Sequence, residues 1–223
     1  MKISANWIIA AVLLLLLTEG DALAQQPRLG GERGTASIRL GLLAPMTTFD
    51  DPSFGESGFA NGMAIGVSAA AWPLLGGHIG LRAQVTRSRT EGENTVSELA
   101  PLAMNDPTVY LYTAEVAARY PMNMGALSGF PYIAVGVGGK HYTWAISAHK
   151  VSRFSALTAA VGYEARPASL GPFGINAEFR AFRSGFRAFG IDDGTWEPGP
   201  YGGKVGTVDN LDLSFTTGLS VHF

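Results

Sequence analysis

From Leu211 to the terminal Phe223 the chain alternates residue by residue. Leu211, Leu213, Phe215, Leu219, Val221 and Phe223 share one parity, interrupted only by Thr217, and Asp212, Ser214, Thr216, Gly218, Ser220 and His222 share the other. Successive strand residues point to opposite faces, so the segment is a strand with one apolar and one polar side. A helix would scatter the same apolar residues around its whole circumference. Soluble strands usually run 5 or 6 residues. A strand this long and this two-faced needs an apolar medium on one side.

Seven further segments of roughly 10 to 14 residues repeat the pattern. In residues 35–46, Ile38, Leu40 and Leu42 oppose Ser37, Arg39 and Gly41; in 61–72, Met63, Ile65, Val67, Ala69 and Ala71 oppose Gly62, Gly66 and Ser68. In 78–89, Ile79, Leu81, Ala83 and Val85 oppose His78, Arg82, Gln84 and Thr86; in 108–120, Tyr110, Tyr112, Val116 and Tyr120 oppose Thr113, Glu115 and Arg119. Residues 131–142 alternate Ile133, Val135 and Val137 with Ala134, Gly136 and Gly138. Residues 153–166 set Leu157, Ala159, Val161 and Tyr163 against Thr158, Gly162 and Glu164. Residues 173–183 set Phe173, Ile175, Ala177 and Phe179 against Asn176, Glu178 and Arg180, with a bulge or a strand exit expected after Phe182.

The links alternate in length. Residues 73–77, 121–130 and 167–172 read as turns, and 47–60, 90–107, 143–152 and 184–210 as mostly longer, more polar loops. That is the expected rhythm of an up-and-down sheet spanning a layer, and an even strand number places both ends on the turn side. The expected fold is all-β: an eight-stranded antiparallel transmembrane barrel over residues 35–223.

The opposite end of the chain supplies the medium. Lys2 precedes 11 apolar residues, Trp7 to Leu17, and Ala22-Leu23-Ala24 stands before Gln25. A positive start, a short apolar core and small residues at the cut describe a secretory signal over residues 1–24. The core is short of the roughly 20 residues of a helical span. Residues 25–34 then read as a short periplasmic leader. The chain has no cysteine, so no disulfide staples it. A net charge of −2 without a basic patch argues against nucleic-acid binding.

The polar parity carries Arg39, Arg82, Arg119 and Arg180 together with Glu115, Glu164, Glu178 and Asp212. An eight-stranded lumen is only wide enough for side chains to fill, and a buried charge must be paired and hydrogen-bonded. These eight residues are therefore expected to form an interior charge network, with a gated pore or proton path as the alternative. Tyr110, Tyr120, Tyr163, Phe173 and Phe223 lie near strand ends on the apolar parity, where aromatic girdles sit; Trp72 lies at a strand end on the opposite parity.

The strand series, the export signal, the segment Pro131-Tyr-Ile-Ala-Val-Gly-Val-Gly138 and the aromatic end at Phe223 together resemble the small eight-stranded outer-membrane barrels, the family of the OmpA transmembrane domain and OmpX. The resemblance covers roughly residues 35–223. It implies that the barrel-insertion machinery reads the terminal strand as an assembly signal, a role that falls here on Phe223 with Phe215, Leu219 and Val221 on the same face. It also implies the outer membrane as location, its lipid as a partner, and both mature termini on the periplasmic side.

Function is less legible. The leading expectation is a non-enzymatic structural or surface-interaction barrel whose longer loops face outward and meet an extracellular ligand of unknown identity. Residues 184–210 carry Trp196 and Tyr201 as candidate loop contacts, with Asp192 and Asp193 nearby. Asp50, Asp51, Asp192 and Asp193 lack a regular calcium-ligand spacing, and no metal or cofactor is expected. One alternative is a lipid-modifying deacylase or acyltransferase, which needs a Ser–His pair near the outer leaflet. Only His141 and His149, with Ser147, Ser152 and Ser155, fall on the loop side. The other alternative is a soluble exported barrel binding an apolar ligand, with the parity reversed.

Overall fold

The computed structural model describes residues 33–46, 49–51, 55–90, 92–94, 108–124, 127–143, 153–189 and 205–223. The expected signal segment, nearly all of the leader, and the loop residues Trp196 and Tyr201 lie outside them. Eight long strands carry the fold: β1 Gly34–Pro45, β2 Gly62–Leu74, β3 Ile79–Arg89, β4 Thr108–Arg119, β5 Leu127–Thr143, β6 Arg153–Ala165, β7 Phe173–Phe189 and β8 Val205–His222. Each pairs antiparallel with its neighbours in sequence, and β8 pairs with β1 from Thr35↔His222 to Pro45↔Asp212. The sheet therefore closes into a barrel, which removes the exposed edges of an open sheet.

Several strands outrun their expected ends, most of all β7 and β8. No bulge follows Phe182: the β7–β8 register is unbroken from Phe173↔Val221 to Phe189↔Val205. Two side chains explain the lost parity signal. Phe182 points inward and is fully buried with its ring over the Arg180 guanidinium, while Arg183 points outward and pairs with Asp209 at 2.7 Å. The register shift falls instead between Ala71 and Leu74 on β2, around Pro73, which has no N–H for the ladder. The link expected over 121–130 is largely strand, since Met122–Met124 pairs back onto Leu127–Gly129.

At the other end of the barrel the first two loops are joined. Phe49–Asp51 pairs with Gly55–Phe59, and Ser57, Gly58 and Phe59 pair with Asn94, Glu93 and Gly92. The turn side is tighter, with 3-10 turns at Leu75–Gly77 and Ala168–Leu170.

The alternation sorts the residues between the two surfaces. Ile38, Leu40, Leu81, Ile133, Val135 and Leu219 are all more than half exposed on the outer face. Arg180, Asp212 and Lys140 are essentially inaccessible on the inner one. This is the inverse of a soluble barrel, whose apolar residues would line the interior. Trp72, on the polar parity, points inward as that parity requires and is buried.

Candidate functional site

Among the described residues, charged side chains from many strands converge in the barrel interior. Several long inward side chains are set against small cross-strand neighbours, Arg39 against Gly66 and Gly218 and Glu115 against Gly136, because the lumen is narrow. Gly162 shows the constraint. A Cβ there would lie 2.3 Å from Cζ of Tyr132, its cross-strand partner on β5. The Tyr132 ring thus lies flat over Gly162, and its hydroxyl donates to Glu178 Oε2 at 2.7 Å. Replacing Gly162 with alanine is expected to displace the ring, break that hydrogen bond and cost about 1–3 kcal/mol. Most of the loss should vanish in a Tyr132→Leu background, because the two residues share one contact. Equal losses in both backgrounds, read from unfolding midpoints, would show that the glycine matters for another reason.

The middle layer joins Arg39, Arg82, Glu115, Glu178 and Arg180. Arg180 Nε donates to Glu178 Oε1 at 2.9 Å. Its Nη1 reaches Glu115 and donates to Thr158 Oγ1 at 3.0 Å, and its Nη2 donates to Glu115 Oε2 at 3.1 Å and to Gln84 Oε1 at 3.0 Å. Arg39 Nη1 lies 2.8 Å from Glu178 Oε2, its Nε donates to Asn176 Oδ1 at 3.0 Å, and its Nη2 donates to Ser68 Oγ at 3.1 Å. Arg82 bonds Glu178 through Nη2 and lies 3.3 Å from Glu115 Oε2 through Nε. Gln84 Oε1 accepts from all three arginines. Forked guanidiniums suit this role because each reaches several acceptors at once. Among the described residues the layer holds three guanidiniums against two carboxylates.

The other three residues of the expected network sit elsewhere. Asp212 pairs with Lys140 of β5 toward the loop end, where their cross-strand neighbours are the buried Phe182 and Leu111. Glu164 lies toward the turn end, 3.0 Å from Arg166 Nε and 2.8 Å from His222 Nε2. Arg119 does not join Glu115, its neighbour four residues back on β4. Its guanidinium is sandwiched between Trp72, at 4.0 Å from the ring centroid, and Phe130, at 5.1 Å, and its Nε donates to the Gly77 carbonyl at 2.8 Å. The charged groups of the interior thus lie at three levels of the barrel. Lys140 and Tyr132 join them although neither is among the eight residues expected from the sequence.

The terminal strand places Phe215 and Leu219 fully on the outer face, with Val221 and Phe223 partly covered. The Phe223 carbonyl accepts from the N–H groups of Arg33 and Gly34, both at 2.9 Å, and its own N–H donates to Gly34 O.

The histidines do not assemble a hydrolytic relay among the described residues. A triad base hydrogen-bonds its nucleophile through one ring nitrogen and its carboxylate through the other. At His222 both Ser220 Oγ, at 3.2 Å, and Glu164 address Nε2. Thr35 Oγ1 lies 3.4 Å from Nδ1 and also accepts from Trp72 Nε1. His78 faces the Arg119 carbonyl. His141 lies beside Tyr110, while His149, Ser147 and Ser152 lie outside the described residues. No group of His, Asp or Glu suited to a metal ion occurs among the described residues.

No protein-family model and no curated protein matches the chain. Solved structures do. Neisserial surface protein A aligns with a TM-score of 0.51 at 13% identity, over 85% of this chain and 96% of that one. The outer membrane protein OprG of Pseudomonas aeruginosa aligns at 0.50 and 13%, over 87% and 98%. At this identity the likeness is one of fold. It supports a small eight-stranded barrel of the outer-membrane type and does not single out the OmpA domain or OmpX.

Proposed function

We propose that the chain is exported, loses residues 1–24, inserts into a bacterial outer membrane with both ends in the periplasm, and acts there without catalysis through its longer loops. The observation that carries this reading is the division between the two surfaces. Among the described residues the exposed face is uncharged and largely apolar through the middle of the strands, and water would oppose an apolar band of that size. The lumen is filled by ion pairs and leaves the strands a structural task. Interaction with the outside then falls to the loops, and Trp196 and Tyr201 are the residues proposed to meet a partner there. Membrane lipid and the barrel-insertion machinery are the partners proposed for residence and biogenesis.

Two measurements test residence. Unheated protein in SDS should migrate apart from boiled protein and should fractionate with membranes. A fluorophore on Leu219→Cys should report an apolar surround and be quenched by brominated lipid, while Ser220→Cys, whose parent side chain is buried, should resist labelling. The native chain has no thiol to interfere. Recovery in the soluble periplasmic fraction, with a water-quenched probe at position 219, would overturn the reading. Deleting residues 190–204 should leave the heat-dependent mobility intact and abolish binding of any loop ligand.

A further inference from the structure

A ring of side chains closes the turn end of the lumen. Trp72 Nε1 donates to Thr35 Oγ1 at 3.2 Å, and Thr35 Oγ1 lies 3.4 Å from His222 Nδ1. His222 Nε2 lies 2.8 Å from Glu164 Oε1, which also accepts from Arg166 Nε at 3.0 Å. The Arg166 guanidinium stands 4.4 Å from the centroid of the Phe130 ring, on which Arg119 also stacks, and Arg119 leads back to Trp72. Six strands thus give one side chain each, with Arg166 just past the end of β6. The other two strands give room. A Cβ at Gly80 of β3 would lie 2.6 Å from the Trp72 indole, and one at Gly174 of β7 would lie 3.0 Å from His222 Nε2. The neighbouring turns are tied in through backbone: the Gly77 carbonyl accepts from Arg119, and the Pro172 carbonyl accepts from the His222 N–H at 2.9 Å.

One link of this ring spans the seam of the barrel. Thr35 and His222 stand 187 residues apart in the chain and meet only through the β1–β8 pairing that closes the sheet. Contacts between residues so distant carry the largest loop-closure cost and form late. Until the seam closes, the remaining links make at most an open chain. Afterwards β1 and β8 cannot part without breaking the ring. An interaction made after the folding transition state leaves the refolding rate alone and slows unfolding. We infer that this ring is a clasp that closes last in folding, opens first in unfolding, and sets how long the folded barrel lasts. Such a lifetime is a rate rather than an equilibrium stability. It requires only the closed barrel and is independent of what the loops bind.

The test follows unfolding in urea and refolding of the full barrel in phospholipid vesicles, read by the heat-dependent mobility of samples withdrawn over time. Thr35→Val and Glu164→Gln sit on different links of the ring. Each should speed unfolding about five- to ten-fold, the effect of one or two buried hydrogen bonds, and leave refolding within about two-fold of native. Because one broken link opens the ring, the double variant should unfold no more than about two-fold faster than the faster single variant. Thr158→Val, which removes an acceptor of Arg180 in the middle layer, should instead multiply with Thr35→Val. Refolding slowed as much as unfolding is speeded would overturn the inference, since the ring would then form early. So would a double variant whose effect is the product of the two single effects. Non-additivity with Thr158→Val as well would overturn the ring as a separate unit. Should Glu164→Gln not fold, Phe130→Leu replaces it, on the far side of the ring from Thr35.

Discussion

Glu178→Gln is expected to destabilise the folded barrel by about 3–5 kcal/mol, the usual cost of leaving buried charges without their partner. Glu178 is the acceptor on which the middle layer converges: Arg39, Arg82 and Arg180 all bond it, and Tyr132 adds a fourth donor. Its amide analogue fills the same volume but removes the charge. Three buried guanidiniums would then face Glu115 alone. Arg39→Gln tests the same layer with the opposite sign. It leaves two guanidiniums against two carboxylates, and the other acceptors that lose a donor, Asn176, Gln84 and Ser68, are neutral. Its cost should be smaller, about 1–3 kcal/mol. Urea unfolding of both variants in phospholipid vesicles, followed by tryptophan fluorescence, checks the order. A larger loss for Arg39→Gln than for Glu178→Gln would show that the excess positive charge does not govern the layer.

Parity makes the inner and outer faces legible in the residues themselves, because a period of two is a local property. It holds even where the composition obscures it, as on β7, where an inward phenylalanine and an outward arginine reverse the expected chemistry at consecutive positions. Depth is another matter. Glu115 and Arg119 share a face, but four residues along a strand separate them by about 13 Å, so Arg119 stacks on Trp72 and Phe130 instead. Which residues share a level depends on how far each strand is staggered against the next. That stagger is fixed by pairing around the whole barrel, which no single segment encodes. Lys140 escapes sequence reasoning for a local reason: Gly138-Gly139-Lys140 interrupts the apolar alternation near the expected end of its strand. Its even position, in phase with Ala134, Gly136 and Gly138, is the signal that could have found it. Tyr132 has the same phase, and the glycine opposite it at position 162 is the clue that a ring lies inward.

Variants of Phe223 are expected to separate its structural role from the recognition role proposed for it in biogenesis. Its backbone closes the barrel through bonds to Arg33 and Gly34, and its ring lies over Gly34, so close that a Cβ there would strike it. Deleting Phe223 removes both contributions and is expected to abolish assembly in cells. Phe223→Ala keeps the backbone bonds and removes only a half-covered ring, a loss of about 1–2 kcal/mol of stability in vesicles. If the ring is also what the insertion machinery reads, assembly of Phe223→Ala in cells should fall severalfold while spontaneous refolding into vesicles stays near native. Phe223→Tyr should restore it, since an aromatic remains. A ring that acts only as a staple predicts a different result: equal, modest losses with and without the machinery. Native assembly efficiency for Phe223→Ala in cells would remove the recognition role altogether.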